Sequence, residues 1–139
     1  MNAMRHVSIV VAAIAVWVLG AGWYTALAAP WMAGIGKTRE QLMQQAGGSP
    51  AVAYVVGFIA ILVMCYLVAA LLRRLSVASF AGGARLGALA ALLPAASLAL
   101  YYAFEMRPVS LWLINAGYVV LGLAIAGAII GGWKRRAVA

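Results

Sequence analysis

Residues 109–133 read VSLWLINAGYVVLGLAIAGAIIGGW, twenty-five positions with no Lys, Arg, Asp, Glu or His. A helix rises about 1.5 Å per residue and the hydrocarbon layer of a bilayer is about 30 Å thick, so this run predicts a membrane-spanning helix. Moving outward along the chain, 86–106, 51–72 and 7–29 meet the same test, with charged residues only at their ends. Backbone polar groups in lipid must be satisfied within the segment, and these runs are too long and too uniformly apolar for alternating barrel strands. The expected fold is an all-α membrane protein, a four-transmembrane-helix bundle with a short amphipathic helix in its first extracytoplasmic loop. Residues 1–139 are read as a single integral membrane domain.

Composition agrees. Of 139 residues, 68% are apolar and 9% charged, with a mean hydropathy of +1.06, against roughly 25% charged in soluble domains. A water-soluble globule is excluded. The net charge of +8 comes from 10 Lys and Arg against 2 Asp and Glu. With so little polar surface, that charge is read against a membrane, and no nucleic-acid partner is expected.

The first span also has the outline of a secretory signal, since Arg5 precedes an apolar run and Ala26-Leu27-Ala28 has the small-x-small form of a cleavage site. The run is longer than a typical signal core, so it is expected to stay as a span. Orientation follows the positive residues. Arg5, Arg73, Arg74, Arg85, Lys134, Arg135 and Arg136 fall on one side of a four-span topology and Lys37, Arg39 and Arg107 on the other. Both termini are therefore expected in the cytoplasm. The Arg73-Arg74 and Lys134–Arg136 clusters would also attract membrane lipids with anionic headgroups.

The first loop, Pro30 to Pro50, contains Thr38-x-x-Gln41, a capping box that predicts a short helix ending at Gly47-Gly48. A second loop is read over Arg73 to Arg85, carrying Ser76, Ser79, Phe80 and Gly82-Gly83, and a tight turn at Arg107-Pro108. The single cysteine, Cys65, lies within the second span and forms no intrachain disulfide. His6 has no second His, Cys or carboxylate at ligand spacing, so neither a metal site nor another cofactor is expected.

Helices in lipid associate through close backbone approach at small residues. In the third span Gly83, Gly87, Ala91, Ala95, Ala99 and Ala103 recur every fourth position, and this row is expected to face a neighbouring helix. Gly127-x-x-x-Gly131 and Gly22-x-x-x-Ala26 are shorter rows of the same kind. Pro94 removes a backbone donor in the middle of the third span and predicts a kink.

Polar and aromatic groups collect toward the extracytoplasmic end. Trp23, Tyr24 and Thr25 close the first span, with Trp31 just beyond it. Tyr101, Tyr102 and Glu105 close the third, Arg107 follows, and Trp112 and Asn115 open the fourth. Trp23, Tyr24, Tyr101, Tyr102, Glu105, Arg107 and Asn115 form a candidate ligand-binding vestibule. Against it stands a plainer arrangement, a Glu105–Arg107 clamp within an interfacial aromatic belt. No nucleophile has a base at a useful spacing, and enzymatic activity is not expected.

These residues carry a family resemblance over nearly the whole chain. Leu19-Gly20-Ala21-Gly22-Trp23-Tyr24, Trp31-Met32, Phe104-Glu105-Met106-Arg107-Pro108, Asn115-Ala116-Gly117-Tyr118 and Gly127 to Trp133 resemble the domain of unknown function 1761 family. The resemblance implies a four-span protein of bacterial or fungal membranes and carries no activity with it. Family members often have Asp where this chain has Asn115, so no proton-coupled role is implied at that position. Two functional readings follow. One is a protein of the bacterial cytoplasmic membrane that acts by interaction, as a homo-oligomer or an accessory subunit of a larger complex. The other is a small oligomeric transporter or channel using the vestibule.

Overall fold

The fold, taken from a computed structural model that describes residues 3–133, consists among those residues of helices joined by short turns. Six helices follow in order: α1 (Ala3–Ala26), α2 (Ala28–Ile35), α3 (Arg39–Gln45), α4 (Ala51–Arg74), α5 (Phe80–Phe104) and α6 (Val109–Gly132). The four long ones, α1, α4, α5 and α6, have the length and hydropathy to cross a membrane. They alternate in direction. One end of the bundle, the near face, holds the start of α1, the α4–α5 turn and the end of α6. The far face holds α2, α3 and the α5–α6 turn. The Lys134–Arg136 cluster lies outside the described residues.

Two boundaries differ from the sequence reading. The first span does not run on to residue 29, because the Pro30 ring has no N–H for the Ala26 carbonyl and would clash with it. Hence α1 stops at Ala26, Leu27 turns the chain with φ −106° and ψ 20°, and α2 starts with Pro30 in its tolerant first turn. The second loop is also shorter than Arg73 to Arg85. Ser79 caps α5 by accepting from the Gly82 amide at 3.1 Å, so Phe80 to Arg85 are helical and only residues 75–79 remain as the turn. In the first loop the capping box forms: Thr38 Oγ1 accepts from the Gln41 amide at 3.2 Å, and Gln41 Oε1 accepts from the Thr38 amide at 2.9 Å.

Four helix ends close in one way. The amides of Lys37, Gly48, Val77 and Arg107 each donate five residues back, to Met32, Met43, Leu72 and Tyr102, with Gly36, Gly47, Ser76 and Met106 in the left-handed region. This satisfies carbonyls that the end of a helix otherwise leaves open. Glycine takes that conformation freely, whereas Ser76 and Met106 hold it at a steric cost.

The centre of the bundle is α6, which packs on α1, α4, α5 and α2. It carries no charge and is apolar nearly all round, as a buried helix must be. One core joins Ile9, Ala12, Ala13 and Val16 of α1 to Ile61 and Cys65 of α4 and Ala126 of α6. A second joins Val68 and Leu72 of α4, Ala91 of α5 and Leu123 of α6.

The small-residue row of α5 lies on α6, but only in part. Gly83, Gly87, Ala91 and Ala95 are buried, while Ala99 and Ala103 are exposed. The expectation that Ala99 packs on a neighbour is therefore corrected. At 3.6 residues per turn a row of every fourth residue drifts by about 40° per step, so Ala99 has rotated about 160° from Gly83 and left the interface. The neighbour is α6. A Cβ on Gly83 would overlap the Gly127 carbonyl, one on Gly87 the Leu123 carbonyl, and one on Gly131 would come within 2.7 Å of the Ser79 oxygen.

Candidate functional site

Toward the far face, α1, α5 and α6 bring their polar side chains to one level. Each Cβ leans toward the N-terminus of its own helix. Because α5 and α6 run oppositely, Tyr102, near the end of α5, and Asn115, in the second turn of α6, lean toward each other. The Asn115 amide links the three helices: its Oδ1 accepts from the Tyr24 hydroxyl at 2.8 Å and its Nδ2 donates to the Tyr102 hydroxyl at 2.8 Å.

Three further bonds run from side chains to backbone carbonyls of adjacent helices. Trp23 Nε1 donates to the Ile114 carbonyl at 3.0 Å, the Tyr118 hydroxyl to the Val16 carbonyl at 3.0 Å, and Trp112 Nε1 to the Ala95 carbonyl at 2.8 Å. Glycine makes room for two of these rings. A Cβ on Gly20 would lie 2.8 Å from the Tyr118 hydroxyl, and one on Gly117 would lie 3.2 Å from the Trp23 ring. Tyr24 also meets Trp31 of α2 and Tyr118 edge-on, with ring centroids 5.9 Å and 5.3 Å away.

Of the seven candidate vestibule residues, Trp23, Tyr24, Tyr102 and Asn115 are brought into this cluster. Tyr101 is not. It is 61% exposed on the outward face of α5, one helical position away from Tyr102. Glu105 and Arg107 also stand apart, on the α5–α6 turn, where Arg107 Nε donates to Glu105 Oε2 at 3.0 Å. That pair borders an open depression of about 510 Å³, walled by Ala33 to Gly36 from the end of α2 and by Glu105 to Pro108 from the turn.

Sequence reading missed Tyr118 as a member of the cluster and Trp112 as a backbone donor. The signal for Tyr118 was available, since it lies three residues after Asn115 and so shares its face. For Trp112 the partner is a main-chain carbonyl, which no residue type marks. Among the described residues no buried side-chain nitrogen or oxygen lacks a hydrogen-bond partner, and no three of His, Cys, Asp and Glu converge as metal ligands. What the hydrogen bonds of the cluster supply is cohesion between helices. In a medium without water, each such bond fixes the rotation and depth of one helix against another.

A family model described as "Protein of unknown function (DUF1761)" matches residues 7–131. The chain belongs to that family. No curated protein and no solved structure matches it. The DUF1761 match runs from the first spanning helix into the last, so it takes in every residue of the hydrogen-bonded cluster. Seven of the residues carrying the resemblance meet in the cluster: Gly20, Trp23, Tyr24 and Trp31 from α1 and α2, and Asn115, Gly117 and Tyr118 from α6.

Proposed function

We propose that this DUF1761 protein acts by interaction within the bacterial cytoplasmic membrane, associating with a second copy of itself through the outer face of α1, with both termini in the cytoplasm. The observation that carries this reading is a contrast among glycines. At Gly83, Gly87 and Gly127 the missing side chain is filled by a neighbouring backbone. Gly22 is different: it is exposed, and nothing within 4 Å would meet an added Cβ. It shares an exposed stripe with Val11, Ile14, Val18 and Ala26. Small residues on a lipid-facing helix allow the close approach on which association in a bilayer depends. The orientation is supported by Arg5, Arg73, Arg74 and Arg85 on the near face against Lys37, Arg39 and Arg107 on the far face.

Mass measurement of the protein in a mild detergent tests this. A multiple of the 14.5 kDa protomer is expected, converted to protomer by Gly22→Leu with no loss of thermal stability, because nothing lies within 4 Å of where its Cβ would stand. A wild-type protein that is strictly monomeric with no copurifying partner overturns the reading. The depression beside Glu105 and Arg107 favours the rival, a small transporter or channel. In proteoliposomes that rival predicts a solute flux abolished by Arg107→Gln, and the interaction reading predicts none.

A further inference from the structure

The near-face ends of α4 and α5 carry three guanidinium groups that no acidic side chain neutralises. Arg73 and Arg74 form the last turn of α4, Arg85 lies in the second turn of α5, and all three are exposed. Among the described residues none of them has a carboxylate within 4.0 Å, the one ion pair being Arg107 with Glu105. The reason lies in the sequence. Its only two acidic side chains, Glu40 and Glu105, both sit at the far face, on α3 and on the α5–α6 turn.

The positions of the three arginines say where their counter-charge is. Arg85 belongs to the outward stripe of α5 that includes Ala81 and Leu89, so its stem faces lipid. It stands five residues inside the helix, a depth of about 7–8 Å. Its Cβ leans toward the start of α5, which is the near face, so the guanidinium rises toward the headgroup layer. Arg73 and Arg74 lean the opposite way, from the end of α4 back toward the hydrocarbon. The three groups converge on one layer, the phosphates. Deeper along the same faces Leu67 is 60% exposed and Leu71 39% on α4, and Leu89 64% on α5, an apolar surface at the depth of acyl chains.

We propose that this corner is a binding site for an anionic phospholipid, its phosphodiester held by Arg73, Arg74 and Arg85 and its acyl chains laid against Leu67, Leu71 and Leu89. A guanidinium fork matches phosphate oxygens two at a time. Three forks suit a lipid with two phosphodiesters, a diphosphatidylglycerol, better than a lipid with one. The site rests on the four long helices crossing a membrane and is independent of association through α1.

The test uses the full chain, purified and delipidated in detergent, so that orientation in a cell does not enter. Lipid retention is read by native mass spectrometry after addition of diphosphatidylglycerol, phosphatidylglycerol or phosphatidylcholine. Wild type is expected to retain them in that order, and R73Q/R74Q/R85Q to lose anionic-lipid affinity by about 100-fold, at roughly one arginine's attraction per substitution. Arg107→Gln, at the far face, is expected to retain wild-type affinity, and the Lys triple variant, with charge but no fork, to fall between. An unchanged melting temperature in the Gln triple variant separates lost binding from lost fold. Equal anionic-lipid retention by wild type and the Gln triple variant overturns the proposal. So does displacement of the lipid by millimolar inorganic phosphate, which would make the site one for free anions. If the chain instead stays soluble without detergent, it is the membrane reading that fails.

Discussion

The seam between α5 and α6 is held by different forces at its two ends. Near the α4–α5 turn the helices meet backbone to backbone, Gly83 on Gly127 and Gly87 on Leu123, and no side-chain hydrogen bond crosses between them there. Toward the far face, beyond Pro94, the outer half of α5 has no fully buried residue after Ala95. There the helices are joined by Trp112 to the Ala95 carbonyl and Asn115 to Tyr102. Close packing supplies many weak dispersion contacts that depend on shape, while the polar bonds depend on the placement of a few atoms. The lesson is that the two halves should fail differently: the first to any added volume, the second to loss of particular donors and acceptors.

The largest effect is therefore expected at Gly87→Ala. A single methyl group there would overlap the Leu123 carbonyl, and main chain cannot rotate away as a flexible side chain can. A loss of about 3 kcal/mol is expected, read by reversible unfolding in mixed detergent micelles. Gly57→Ala is the control, since nothing within 4 Å would meet its Cβ. That change should be neutral or stabilise by up to about 1 kcal/mol through helix propensity. Equal effects at the two glycines would remove the distinction between a used and an unused glycine.

Next in size comes Asn115→Leu, which keeps the approximate volume but removes the two bonds of the Asn115 amide, to Tyr24 of α1 and Tyr102 of α5. Hydrogen bonds between membrane helices contribute on average about 0.6 kcal/mol each, so a loss of about 1–2 kcal/mol is expected. The same unfolding measurement reads it. Tyr24→Phe made in the Asn115→Leu background should then cost almost nothing more, since its partner is already gone; an additive loss would mean that Tyr24 does not act through Asn115.

Much of this was legible in the sequence, for physical reasons. Length and hydropathy mark spans because lipid demands them, and Thr38-x-x-Gln41 marks a helix start because the cap is local. The row from Gly83 to Ala95 was readable for the same reason, its period being that of the helix. Three features were harder to see. Pro30 reads as the start of a loop unless its conflict with the Ala26 carbonyl is traced four residues back. Ala99 reads as part of the row unless the drift of that row is accumulated. The pairing of Trp112 with a main-chain carbonyl depends on how two helices slide against each other, which residue type does not encode. Of the vestibule candidates, Tyr101 and Tyr102 are neighbours with the same chemistry and opposite placement, and only the rotation of α5 separates them.

The smallest effect is expected at Glu105→Gln, and it bears on the seam because the α5–α6 turn lies at its far end. The Glu105–Arg107 pair is the one charge contact at that end, and it looks like a clamp. Its two side chains, however, are about 51% and 36% exposed. An ion pair in contact with water gains little, since solvent screens the attraction and two flexible chains must be held still. The turn has its own lock besides, the bond of 2.9 Å from the Arg107 amide to the Tyr102 carbonyl, which involves neither charge. Glu105→Gln should therefore change stability by less than about 0.5 kcal/mol, read in the same unfolding experiment with and without added salt. A loss as large as that of Asn115→Leu, shrinking as salt is raised, would instead make the turn a third fastening of the α5–α6 seam, held by charge.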